Sequence, residues 1–209
     1  ACESCHVPKV YGPALKMLDW TMLDATGEPL RQYRDIAGDP VAVDSLVEGS
    51  PTDPGILQGA SGLYSAYAGV FVDDPERARR LASRAREYGT RGLCAENARY
   101  CDLEGLSPEA FDAVIDRADR GDVPALYSYA LGWLVWMKAN SDDFQALVDL
   151  PKVESVLARI IELDEGYERG SAHVYTGVLQ TLLPPALGGR PESARMHFER
   201  AIELSDGRD

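Results

Sequence analysis

Arg159-Ile160-Ile161-Glu162-Leu163-Asp164 returns as Arg200-Ala201-Ile202-Glu203-Leu204-Ser205, displaced by 41 residues. Each copy reads as the last turn of a helix whose apolar residues face one way. A weaker echo joins Glu76-Arg77-Ala78-Arg79-Arg80-Leu81 to Glu192-Ser193-Ala194-Arg195. Periods of this length mark arrays of helix pairs. One pair cannot bury its apolar face alone, so pairs must stack. No stretch alternates as a strand, and the reading is all-α.

Working outward from the repeat, the helix signals come in order. Pro13 opens a helix with Leu15, Leu18, Trp20 and Leu23, which stops at Gly27. Shorter helices are expected over Pro29–Ala37 and Pro40–Val47. Asp53 is placed to cap the next, with Pro54 at its first position. Residues 55–72 are almost uncharged, so this helix is expected to be buried all round, its small residues Gly59, Gly62 and Gly69 admitting close neighbours. Asp73-Asp74-Pro75 stops that run and starts an amphipathic helix over 75–99. Its arginines 77, 79, 80, 84 and 86 read as a solvated face. Ser107-Pro108-Glu109 begins a helix with Phe111, Val114 and Ile115 inward. The most aromatic helix follows at 124–138, with Trp133 and Trp136, and it reads as core. Segments 142–149 and 151–163 complete the set before the last repeat. The architecture is thus a tetratricopeptide-like stack of antiparallel helix pairs, with residues 1–10 as an arm and 11–209 as one helical-repeat domain.

Composition sets outer limits. The chain has 209 residues, enough for a sizeable core, and a net charge of -13. That charge argues against nucleic acid and against anionic membrane surfaces. No apolar run is long enough to span a bilayer. No signal peptide is visible, and the chain is read as one from which it has been removed, placing the protein in the periplasm or outside the cell.

The N-terminus carries the sharpest chemical signal. Cys2-Glu3-Ser4-Cys5-His6 is the C-x-x-C-H spacing of c-type haem attachment. Two thiols reach the two vinyl groups of one porphyrin, and the adjacent imidazole becomes the proximal iron ligand. This reading makes the protein an extracytoplasmic monohaem electron carrier with one covalent haem c. The distal ligand is then sought in His173 or His197, or in Met17, Met22, Met137 or Met196, or the position is open. Ten residues are too few to cover a porphyrin, so a neighbouring subunit is expected to supply much of the pocket, by head-to-tail assembly into an oligomer or filament. Three other readings stay open: disulfides from Cys2 and Cys5 to Cys94 and Cys101, a lipid on Cys2, and a zinc site. In an oxidising compartment Cys94 and Cys101 read as a disulfide closing a short loop, against two free thiols. Nothing in the chain resembles a nucleophile elbow, a phosphate loop or H-E-x-x-H, so no enzyme is expected.

Several separated blocks carry a resemblance. They include Pro54-Gly55-Ile56-Leu57 leading into Gly62-Leu63-Tyr64-Ser65-Ala66-Tyr67-Ala68, and Ala85-Arg86-Glu87-Tyr88-Gly89-Thr90-Arg91-Gly92-Leu93. Further on come Asp122-Val123-Pro124-Ala125-Leu126-Tyr127, Asp149-Leu150-Pro151-Lys152-Val153-Glu154, and Leu163-Asp164-Glu165-Gly166-Tyr167. Gly170-Ser171-Ala172-His173 and Gly188-Gly189-Arg190 precede Ala194-Arg195-Met196-His197-Phe198-Glu199-Arg200-Ala201. In this order, from about residue 52 to 209, the chain resembles the T component of TRAP transporters. The resemblance implies a periplasmic, usually lipid-anchored, tetratricopeptide-like protein that partners a substrate-binding protein. It also implies further helices beyond the last repeat, whereas the C-x-x-C-H is not part of the family pattern. The cysteines would then be structural or lipidated.

Overall fold

Proline starts most of the helices, and a capping side chain starts three of them. The computed structural model describes residues 41–143, 146, 148–182 and 185–205. The chain divides into two compact units, Ala1–Gly49 and Ser50–Asp209. In the first, the described residues form α1 (Val41–Gly49). The helices expected near 13–27 and 29–37, and the boundary after residue 10, lie outside the described residues.

The second unit contains α2 (Pro54–Ala66), α3 (Pro75–Glu96), α4 (Pro108–Ile115), α5 (Val123–Ala139), α6 (Leu150–Asp164), α7 (Ser171–Thr181) and α8 (Pro191–Leu204). No strand occurs among the described residues. Six of these seven helices, all but α7, have proline at the first or second position, where the missing N–H removes no helical bond. Asp53 caps α2 by accepting from the Ile56 amide at 2.9 Å, and Asp74 caps α3 by accepting from Arg77 at 2.7 Å. Ser107 does the same for α4. The two copies of the repeat end α6 and α8 alike. Arg159 pairs with Glu162 at 3.0 Å and Arg200 with Glu203 at 2.8 Å, each three residues on.

Consecutive long helices pack as antiparallel pairs, and α5 sits in the middle, against α2, α3 and α6. Leu126, Tyr129 and Trp133 on α5 are fully buried, with Phe111 and Ile115 from α4 and Val153, Val156, Leu157 and Ile160 from α6. Phe111 and Tyr129 both meet Trp133 edge-on, the arrangement aromatic quadrupoles favour.

Three sequence expectations need correction. The apolar segment 55–72 is not covered all round. It is an α-helix only to Ala66, continues as a π-type turn over Tyr67–Phe71, and leaves Leu63 43% and Val70 72% exposed. Its other side packs on α3 and α5. Gly59 and Gly62 face open space, and the close approach is made instead by Gly89 on α3 and Gly132 on α5. A Cβ on Gly132 would lie 2.7 Å from the Ala85 carbonyl oxygen, and one on Gly89 would lie 3.0 Å from Ser61 Oγ. Ser61 Oγ–H donates to that same Ala85 carbonyl at 2.8 Å. Finally, no α-helix covers 142–149 among the described residues; Ala146 bonds back to Asp143 in a turn, and α6 begins at Leu150.

Two substitutions probe this packing. Gly132→Ala is expected to lose about 2 kcal/mol or more in chemical denaturation, because the obstacle is backbone and cannot rotate away. Trp133→Asp is expected to cost about 4 kcal/mol or prevent folding, since it buries a charge with no partner. A near-neutral result for either would contradict the close contact of α3 with α5.

Candidate functional site

A five-residue turn, Gly166–Gly170, brings α6 round to α7 and holds the polar cluster of the C-terminal helices. Glu168 and Arg169 have φ of 46° and 58°, and Gly170 follows at 82°. Left-handed backbone costs roughly 1–2 kcal/mol at an ordinary residue and little at glycine. Gly170 is needed twice over, since a Cβ there would meet Leu204 Cδ1 at 2.7 Å. The reversal sets Glu165, at the end of α6, beside His173 in the first turn of α7.

His173 and His197 come together. Their Nδ1 atoms are 2.7 Å apart, one from α7 and one from α8. His173 Nε2 lies 3.1 Å from Glu165 Oε1. Glu165 is also held by Arg200 of α8, which donates Nε to Oε1 and Nη2 to Oε2, both at 2.7 Å. Such two-pronged pairing fixes both the angle and the distance of the partners.

These contacts determine the tautomers. A carboxylate only accepts, so His173 carries its proton on Nε2 and donates it to Glu165. In the neutral ring its Nδ1 is then an acceptor. His197 must therefore donate from Nδ1, which leaves its Nε2 as an unprotonated lone pair. Arg200, helped by His173, holds the Glu165 carboxyl well below the ordinary carboxylate range, at about 2. Partial burial, then the neighbouring His173 and Arg190, push His197 below its usual value.

This arrangement bears on the expected iron ligands. His173 is buried, and both its ring nitrogens are spent inside the chain. His197 keeps Nε2 without a partner among the described residues. Met137 is buried in the core, whereas Met196 is 64% exposed on α8. Cys2, Cys5, His6, Met17 and Met22 lie outside the described residues. Among the described residues, no group of three or more His, Cys, Asp or Glu is arranged to hold a metal ion.

Cys94, near the end of α3, is bonded to Cys101. The bridge closes the loop that leads to Glu104. Glu104 in turn accepts from Arg86 Nη2 at 2.6 Å and from Thr90 Oγ1 at 2.9 Å, while its backbone carbonyl accepts from Lys152 Nζ at 3.0 Å. Arg86 lies over Trp136 at 4.2 Å and Trp133 at 5.0 Å. It is thus not a member of a solvated arginine face but a half-buried pin between α3, α5 and this loop. Arg86, Thr90, Glu104 and Trp136 line a cleft of about 510 Å³. Its acids and bases mostly answer one another.

From sequence alone His173 and His197 read as separate candidate ligands and Arg86 as one of a solvated arginine face, and nothing gives Glu165, Arg200 or Glu104 a role. Charged residues on helices read alike whether they face water or one another.

Residues 41–209, nearly all of the helical chain described above, match the family model of the TRAP transporter T-component. The chain belongs to this family. No curated protein is similar enough to match it. For this T-component the match covers α1 to α8, including both histidines, and leaves the C-x-x-C-H segment outside. No helix among the described residues is long and apolar enough to cross a membrane.

Replacing Arg200 tests the electrostatic reading. In Arg200→Met the Glu165 carboxyl is expected to titrate near the ordinary value of about 4.3, up from about 2, followed by carboxyl carbon NMR. The sign follows from linkage. A depressed carboxyl stabilises the fold above its unfolded value and loses that contribution as the pH falls toward 2. The variant should therefore lose less stability on acidification than the parent, and an unshifted Glu165 would rule the pairing out.

Proposed function

We propose that this chain serves a TRAP transporter as its extracytoplasmic helical partner, binding the substrate-binding protein of that system. The family match over residues 41–209 carries this reading, and the helical stack supports it. Stacked helix pairs present broad rigid surfaces suited to protein partners. The excess of acid over base, 34 against 21, would steer a partner with a basic face and make the encounter salt-sensitive. On this reading Cys2 and Cys5 are structural or lipidated. Size-exclusion chromatography of the chain mixed with its cognate substrate-binding protein is expected to show co-elution that weakens with added salt. Separate elution at tens of micromolar of each, with and without transported solute, would overturn the proposal.

One observation favours a second reading: the Cys2-Glu3-Ser4-Cys5-His6 spacing. Cys2 and Cys5 would hold one haem through thioether bonds and His6 would ligate its iron, adding electron transfer to the scaffold and, with it, a redox partner and head-to-tail assembly. Protein exported with its haem-attachment machinery is then expected to show a Soret band and the mass of one haem that survives denaturation, lost in Cys5→Ser. Colourless protein of unmodified mass would dismiss this reading and leave the first intact.

A further inference from the structure

Two of the polar contacts that hold the last helix to the stack converge on Glu165, through His173 and through Arg200. Across the α7–α8 contact, the ring of Phe198 lies where a Cβ on Gly177 would be 2.7 Å away, and Leu204 fills the space above Gly170. Both glycines make this packing close. The His173–His197 bond and the Glu165–Arg200 pair hold α8 there. Arg190 adds a link from the start of α8 to Glu154 on α6 at 2.6 Å.

We propose that the His173–His197 pair is an acid-released clasp: it tolerates one added proton and opens on the second, freeing α8 from α7. The proton count follows from the tautomers. The first added proton takes the lone pair on His197 Nε2. The Nδ1–H of His197 still points at the His173 Nδ1 lone pair, and the bond becomes charge-assisted. The second proton can enter only at His173 Nδ1. Two N–H groups, each on a cation, then face each other across 2.7 Å, and the contact turns from attraction to repulsion.

The charged groups around the pair set which contacts survive. Glu165 from the end of α6 meets His173, Arg200 of α8 shares that carboxylate, and Arg190 lies near His197. Glu203 and Glu154 are engaged by Arg200 and Arg190. Glu165 stays ionised down to about pH 2, so the Glu165–Arg200 pair persists while the histidines charge. Acid release is thus specific to the histidine clasp. Partial burial, then the neighbouring His173 and Arg190, lower the range in which His197 takes the first proton. For His197 alone, a group depressed on folding, stability is present above the unfolded value near 6.5 and declines below it, which offsets the gain from the charge-assisted bond; release itself follows from the repulsion at the second proton. This inference does not depend on which partner the protein binds.

Two measurements on the full chain test it. Nitrogen NMR of labelled histidine should show a scalar coupling between the two Nδ1 atoms at neutral pH, one Nε2 taking a proton first with the coupling kept, and the coupling lost on further acidification. Amide exchange of α8, corrected for its intrinsic pH dependence, should rise about tenfold or more as the clasp opens, while α3 and α5 stay protected. In His197→Gln the acid step in α8 exchange should disappear. Absence of the coupling at neutral pH, unchanged α8 protection in wild type at about pH 4, or an equal acid step in the variant would each overturn the proposal.

Discussion

Ser61, Ala85 and Gly132 meet where three helices cross, and the stack depends on how closely they do so. The Ala85 carbonyl accepts from Ser61 Oγ and leaves no room for a Cβ at Gly132. Glycine carries an entropic cost in a helix interior, on the order of 1 kcal/mol relative to alanine. The return is backbone-to-backbone approach, with the aromatic side of α5 packed against Phe111 of α4 and against α6. Trp133, fully buried, fills that space, and Arg86 lies across its outer edge.

Beyond this centre, polar contacts decide the geometry that apolar packing leaves loose. Tyr100 shows the pattern. It is buried, and its hydroxyl donates to Asp122 at 2.6 Å, so burial first and then this carboxylate push its titration well up. Asp122 also accepts from the Asp119 amide and so fixes the turn that starts α5. Glu165 collects donors from α7 and α8, and the Glu104 carboxylate collects two from α3. A carboxylate with several lone pairs is suited to that task, because each added donor lowers the cost of burying the charge. The loops of this T-component are therefore held by shared acids together with buried residues such as Tyr100 and Leu103.

Those acids also separate a stable scaffold from a responsive one. At Glu104 the carboxylate meets a guanidinium and a threonine hydroxyl, Arg86 and Thr90. Where histidine is inserted, as between Glu165 and His197, proton uptake re-sorts donors and acceptors. The C-terminal helix pair is thus chemically unlike the centre although both use the same kind of stack.

By itself the sequence determined the helix starts, the all-α class and the core of α5. Proline, a capping Asp or Ser and apolar spacing act within a few residues, so they can be read from Asp53-Pro54, Asp74-Pro75, Ser107-Pro108 and the run around Trp133. The family blocks were legible for the same local reason. Only the tertiary structure decided which side of α2 is covered, and that Gly89 and Gly132 are the contact glycines while Gly59 and Gly62 face open space. It alone paired His173 with His197 across 24 residues and gave Glu165 its partners. Those outcomes depend on the angle and distance between whole helices. That geometry is set by the summed packing of many side chains, and no single stretch of chain carries it.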